Sequence, residues 1–285
     1  MLSINCKGKL ISFEEPVVMG IINTTPDSFF QGSRKPNLEE VVAAAGKMIE
    51  QGATFIDIGG QSTRPGSKRI DTDTEMERVI PAVEAIHRFY PDALISIDTF
   101  YANVAKAAVL SGAAIVNDVS AGSIDPELIP TVAGLNVPYV LMHMQGDPQT
   151  MQLHPTYNNV VLEVFDYLNQ QIDKISRAGI KDIIIDPGFG FGKTIAHNFQ
   201  LLSHLPYFHQ LNKPILIGLS RKGTVYKTLG VGAEEALNGT TVLNTISLLN
   251  GAHILRVHDV TEAREAIRLV SVYKEEKQKL DSSSQ

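Results

Sequence analysis

At 285 residues, with 44% hydrophobic and 20% charged positions, the chain can bury a large core, enough for one barrel or two smaller domains. The formal net charge of −6, spread over a mixed sequence without a Lys/Arg cluster, argues against nonspecific nucleic-acid binding, which needs a concentrated basic face. Cys6 is the only cysteine, no 18 apolar residues follow one another, and Met1 to Ile11 holds too short an apolar run for a signal peptide; an intrachain disulfide and a cysteine-based zinc cage are excluded, and a soluble cytoplasmic protein is the expectation.

Leu2 to Phe13 predicts a short hairpin turning at Lys7-Gly8-Lys9. Eight apolar, β-branched runs follow: Val17 to Ile22, Phe55 to Ile58, Leu94 to Ile97, Ala114 to Val116, Tyr139 to Met142, Ile183 to Ile185, Ile215 to Gly218 and His253 to Val257. Nearly all end in a polar residue or glycine, namely Asn23, Gly59, Asp98, Asn117, His143, Asp186, Ser220 and His258. Between the first two runs, Leu38, Val41, Val42, Ala45, Met48 and Ile49 mark one face of an amphipathic helix, which Gly52 stops. Similar stripes start at Met76, at Val161 and at Ala263. Strands apolar on both faces, each followed by a crossover helix, make a parallel sheet, either open or closed. Eight units in this length favour an α/β fold of the (β/α)8 TIM-barrel type with a short N-terminal β-hairpin. With no linker or repeat in the series, residues 1–274 read as a single domain, and residues 275–285 as a polar tail expected to fray.

In such barrels chemistry sits at the C-terminal ends of the strands and in the loops beyond them. Asn23 to Phe29 leaves the first strand through a pre-proline break with no helical pattern before Leu38, so it is a long polar loop over the barrel mouth. Gly59 to Gly66 is a second one. Taken alone, both are only turns and caps. Gly192-Lys193-Thr194 resembles the end of a phosphate-binding loop, but Pro187 occupies the first required glycine position and the dinucleotide glycine spacing also fails. Arg256 and His258, two apart on one strand, share a face and suit an anion; the bland alternative pairs Arg256 with Asp259 or another carboxylate. For Asp98 and Asp186 a structural ion pair is an equal alternative, and Met142 and Phe191 read as core or as apolar walls. The histidines are too scattered for a metal cage.

Taken together, these blocks resemble the dihydropteroate synthase family from Met19 to Val260, through Asn23 to Phe29, Ser62 to Gly66, Ser96 to Thr99, Asn117 to Val119, Asp186 to Lys193, Ser220 to Lys222 and Arg256 to Val260. The resemblance implies a transferase of folate biosynthesis. It would join a pterin carbinol diphosphate to 4-aminobenzoate by dissociative substitution and release pyrophosphate. It implies pterin contacts at Asp98, Asn117, Met142, Asp186, Phe191, Gly218 and Lys222, and 4-aminobenzoate contacts at Phe29, Pro65, Ser220 and Arg221. Asn23, Thr63, Arg256 and His258 would hold the diphosphate; Asp27, Phe29, Thr63, Arg64 and Lys222 would take part in catalysis. Asn23 would anchor Mg2+, and homodimers and sulfonamide inhibition are implied in the same way. Gln61 stands where the family usually has glutamate, and Gly223 to Tyr226 departs from the usual serine-rich continuation. A methyltetrahydrofolate:corrinoid methyltransferase and a noncatalytic pterin-binding paralogue are the alternatives.

Overall fold

The computed structural model describes residues 2–25, 37–62, 67, 69–147 and 150–283. Ser3–Cys6 (β1) and Lys9–Ser12 (β2) pair antiparallel as the expected hairpin, with Lys7 and Gly8 at positive φ in its turn. Eight parallel strands follow: Val17–Asn23 (β3), Phe55–Gly59 (β4), Leu94–Asp98 (β5), Ile115–Asp118 (β6), Tyr139–Met142 (β7), Ile183–Asp186 (β8), Leu216–Ile217 (β9) and Ile254–Val257 (β10). Their order is β8-β7-β6-β5-β4-β3-β10-β9. A bridge between Ile185 and Ile215, with the Ile185 amide donating to the Pro214 carbonyl at 2.9 Å, brings the two ends of that order together and closes the barrel.

The described helices are Leu38–Glu50 (α1), Thr72–Phe89 (α2), Ala102–Leu110 (α3), Leu128–Leu135 (α4), Val160–Arg177 (α5), Ile195–Ser203 (α6), Gly223–Leu229 (α7), Leu237–Leu249 (α8) and Val260–Ser283 (α9), with a 3-10 turn over Leu205–Leu211. Asn37, Asp71 and Asn159 cap α1, α2 and α5 by accepting amides of the first turn, so their boundaries follow from sequence chemistry. At Gly20 a Cβ would stand 2.7 Å from Met48 Sδ and 3.3 Å from Val260 Cγ2. The absence of a side chain there lets α1 and α9 pack directly on β3.

The tail expected from residue 275 onward is helical as far as Ser283, as a continuation of α9. Lys274 Nζ donates to the Leu248 carbonyl at 2.7 Å and Lys279 Nζ pairs with Glu276 Oε1 at 2.6 Å. A run of Glu, Lys, Gln and Leu has the helix propensity to propagate from such an anchored turn.

Two apolar layers follow from the period-2 alternation of strand side chains. Val18, Ile56, Ile95, Val116, Tyr139, Ile183, Ile217 and Leu255 face outward into the main core with the helices. Met19, Phe55, Leu94, Ile115, Val140, Ile184, Leu216 and Ile254 face inward at the barrel's base, where they pack on Ile4, Cys6 and Phe13 of the hairpin segment. The hairpin is thus a plug, and burial pushes the Cys6 thiol up to about 12, which leaves it inert. Among the described residues no helix is long and apolar enough to cross a membrane.

Candidate active site

Two residues further along each strand the barrel lumen changes character. The inward positions become Ile21, Asp57, Ser96, Asn117, Met142, Asp186, Gly218 and Arg256. One step higher stand Asn23, Gly59, Asp98, Ser220 and His258. The expected site residues on the strands therefore converge because they share parity, as the barrel reading requires.

At the centre, Arg256 Nε donates to Asp57 Oδ2 and its Nη2 to Asp98 Oδ2, each at 2.6 Å. Asn117 Nδ2 donates to the same Asp57 oxygen at 3.0 Å. Asp259, the partner suggested by sequence, instead binds Arg221. Burial pushes the Asp98 carboxyl up to about 7, with Arg256 opposing and Asp57 and Asp118 reinforcing. Asp186 is raised by burial too, against Lys222 and a 2.7 Å hydrogen bond from the Gly188 amide. Lys222 Nζ donates to the Phe189 carbonyl at 2.7 Å and lies 4.5 Å from the centre of the Phe191 ring. Burial lowers it to about 8, while Asp186 holds it up. A Cβ on Gly218 would come within 3.7 Å of that ammonium. Met142 and Phe191 meet in one small apolar cluster with Phe100, Val119 and Met151, a wall beside these charges. The arrangement offers a flat heterocycle carboxylates, an amide and an ammonium at its edges and an apolar contact at its side.

Towards the rim, Ser220 Oγ and His258 Nδ1 lie 2.9 Å apart, and Ser220 Oγ also accepts the His258 amide at 3.2 Å. Packing of its ring against its neighbours, followed by the Arg256 charge, pushes the His258 imidazole down to about 4, although the residue as a whole is exposed. It is therefore neutral near pH 7. A Cβ on Gly59 would lie 3.8 Å from Asn23 Oδ1 and 3.7 Å from Asp98 Oδ2, so these side chains flank the end of β4.

Arg221, which the resemblance places at the 4-aminobenzoate, has its guanidinium engaged elsewhere. Its guanidinium grips Asp259 through Nε at 2.8 Å and Nη2 at 2.9 Å, and Nη1 donates to the carbonyls of Ala233 and Glu234. This bidentate pair ties the strand-nine loop to the start of α9 and leaves the arginine committed to structure. Asp27, Phe29, Thr63, Arg64 and Pro65 lie outside the described residues.

Gln61 fastens the second loop at both ends: Nε2 donates to the Ser62 carbonyl at 3.1 Å and Oε1 accepts the Ile70 amide at 2.9 Å. A glutamate could make only the second of these. At Gly223, which opens α7, a Cβ would meet Lys227 and Tyr226 at ordinary contact distances, 3.6 and 3.7 Å. Neither departure touches the cluster around Arg256.

Three features were missed by sequence reasoning. Asp57 was hidden inside an apolar run; its parity with Gly59 was the available signal. Lys193, buried, donates to His143 Nδ1, Gly188 O and Phe191 O, and so centres the glycine-rich loop. Glu75 in α2 is fully buried beneath Gly60, and among the described residues neither carboxyl oxygen has a hydrogen-bond partner; nothing in a helical stripe announces it.

No group of three or more His, Cys, Asp or Glu that could hold a metal occurs among the described residues. Asn23 supplies one neutral oxygen, which suits a Mg2+ that draws its remaining ligands from a diphosphate and water.

Residues 19–258 match the family model described as pterin binding enzyme. The dihydropteroate synthase of Escherichia coli strain K12 is 44% identical over 266 residues, 93% of this chain and 94% of that protein. The Yersinia pestis dihydropteroate synthase, solved with a sulfonamide drug, superposes with a TM-score of 0.91 at 38% identity, covering 96% of this chain and all of that one (100%). The Xanthomonas albilineans dihydropteroate synthase, solved with 4-aminobenzoic acid, gives a TM-score of 0.89 at 40% identity over 95% and 98% of the two chains. A lumen built this way, in a chain this similar over nearly its whole length, belongs to the pterin-binding enzyme family, among the dihydropteroate synthases.

Proposed function

We infer that the barrel joins (7,8-dihydropterin-6-yl)methyl diphosphate to 4-aminobenzoate, giving 7,8-dihydropteroate and pyrophosphate in folate biosynthesis. The observation that carries this is the ring of Asp98, Asn117, Asp186 and Lys222 around one lumen, with Arg256 and His258 beside it. Asp186 accepts the paired N–H donors of the pterin, and Lys222 donates to its carbonyl and ring nitrogen. Met142 and Phe191 cover the ring.

Arg256 faces the diphosphate with the part of its guanidinium that Asp57 and Asp98 leave open, and His258 and Asn23 lie at the same rim. The start of α9 adds free backbone amides there. The bond between the methylene carbon and the diphosphate oxygen breaks with its electron pair leaving on pyrophosphate, and the pterin ring delocalises the resulting cation. The arylamine nitrogen then bonds to that carbon and sheds a proton to solvent. Stabilising the departing charge is the main demand on the protein, since the amine needs no strong base. Mg2+ held by Asn23 Oδ1 and the diphosphate would neutralise part of that charge. The resemblance implies that Asp27, Phe29, Thr63, Arg64 and Pro65, with Ser220, would meet the 4-aminobenzoate and exclude water. The apolar residues exposed on α8 (Val242, Ile246, Leu249) and α9 (Leu269, Val272, Tyr273) favour a homodimer through these helices. A cytoplasmic location accords with the substrates.

Purified protein should release pyrophosphate rapidly only when pterin diphosphate, 4-aminobenzoate and Mg2+ are all present, and a sulfonamide should compete with 4-aminobenzoate. Release at the same rate without the arylamine would contradict the synthase reaction. Sedimentation at micromolar concentration reads the oligomeric state, and a monomer would remove the dimer.

A further inference from the structure

Asp57 is fully buried in the lumen, so a ligand in the barrel mouth does not reach it. One of its oxygens, Oδ2, takes both Arg256 Nε at 2.6 Å and Asn117 Nδ2 at 3.0 Å, while Oδ1 is buried and has no hydrogen-bond partner among the described residues. An ion-paired carboxylate can only accept. The Asn117 amide therefore has one stable orientation, with its NH2 group turned to Asp57, and among the described residues no group donates to Asn117 Oδ1. Turning the amide over would set two oxygens against each other in a site from which water is excluded, a costly arrangement at low dielectric. The Arg256 bond in turn keeps Asp57 from rotating, because the guanidinium is braced on its far side by Asp98 at 2.6 Å.

We propose that Asp57 is a specificity-determining positioning residue: it fixes the polarity of Asn117, so that the pterin floor shows an acceptor oxygen to a ring N–H at that edge. Asp57 touches no substrate and acts on the pterin edge through Asn117, besides holding Arg256. The inference rests on the synthase reading for the identity of the heterocycle.

The test is calorimetric titration of the full chain with 6-hydroxymethyl-7,8-dihydropterin, with thermal melting as the folding control. Asp57→Ala frees the amide and should weaken binding at least 10-fold. Asn117→Asp turns a carboxylate against Asp57 and should do the same. Reversing donor and acceptor at this pair is no rescue, because Asp57 Oδ2 also accepts from Arg256; the readout that a structural role would not move is selectivity. With Asp186 on the 2-amino group and N3–H, the ring N–H left for Asn117 is N8–H of the dihydropterin, which oxidised 6-hydroxymethylpterin lacks. The unaltered protein should prefer the dihydropterin, and Asp57→Ala should lower that preference at least 10-fold. Equal weakening of both ligands in a folded Asp57→Ala overturns the proposal, as does an unchanged affinity. If the unaltered protein fails to bind the dihydropterin at all, the synthase reading falls and the inference with it; binding by the unaltered protein with an unchanged ratio in the variant overturns the inference alone.

Discussion

Lys193 Nζ lies 2.9 Å from His143 Nδ1, 3.0 Å from the carbonyl oxygens of Gly188 and Phe191 and 3.4 Å from that of His143, and among the described residues no carboxylate is paired with it. The three nearer acceptors match the three hydrogens of an ammonium. Burial works against that charge and pushes Lys193 down to about 7, with Asp186 opposing; burial and the lysine together push His143 down to about 2, so its Nδ1 accepts. The loop that supplies the Phe189 carbonyl to Lys222 is thus wrapped around a lysine.

Lys193→Met should separate stability from activity. Removing a buried amine relieves its desolvation but leaves acceptors unpaired, terms of comparable size at roughly 1–3 kcal/mol each. The urea midpoint should therefore move little. Turnover should fall at least 10-fold, because the loop presenting Phe189 and Phe191 loses its centre. An unaltered kcat/KM would show that the lysine does not position the loop.

Gly188 has φ +73° and a Cβ there would overlap the His143 carbonyl oxygen. Gly188→Ala should cost roughly 2–5 kcal/mol, from backbone strain and overpacking. Gly134 in α4 has nothing within 4 Å of its Cβ position, and Gly134→Ala should stabilise by about 0.5–1 kcal/mol. Denaturant melts of the pair check both signs.

Burial pushes the Glu75 carboxyl up to about 8; Asp98 acts in the same direction, and the Arg78 charge acts against it. Between about 4.5 and 8 the folded protein keeps a proton that the unfolded chain has released. This group's contribution to stability is therefore present below that window and lost as pH rises through it, by about 1.4 kcal/mol per pH unit. Glu75→Gln should remove this component. Its stability relative to the unaltered protein should rise from pH 5 to pH 8.5, read from urea midpoints, and parallel curves would place the titration elsewhere.

The barrel was legible because eight apolar runs ended in polar residues at regular intervals, and strand parity brought Asp98, Asn117, Asp186 and Arg256 together as that pattern implied. Partner choice was not legible. Nothing local distinguishes Arg256 paired to Asp57, 199 residues away, from Arg256 paired to Asp259; only barrel closure decides it. The helical end of α9 was not legible for a related reason. A charged segment looks solvated until the Lys274 bond to Leu248, a tertiary contact, anchors it.

His258 carries a prediction about protons. Its imidazole, held down to about 4 by burial and then by Arg256, is neutral at pH 6.5 and shares a hydrogen bond with Ser220. A pyrophosphate anion arriving beside it supplies the opposite charge and raises its affinity for a proton. Binding of Mg2+–pyrophosphate at pH 6.5 should therefore be accompanied by net proton uptake, visible as a dependence of the calorimetric enthalpy on the ionisation enthalpy of the buffer. His258→Asn retains a hydrogen-bonding group towards Ser220 but cannot titrate, so its binding enthalpy should lose most of that dependence. An equal buffer dependence in the variant would assign the proton to another group, Asp98 at about 7 being the next in line.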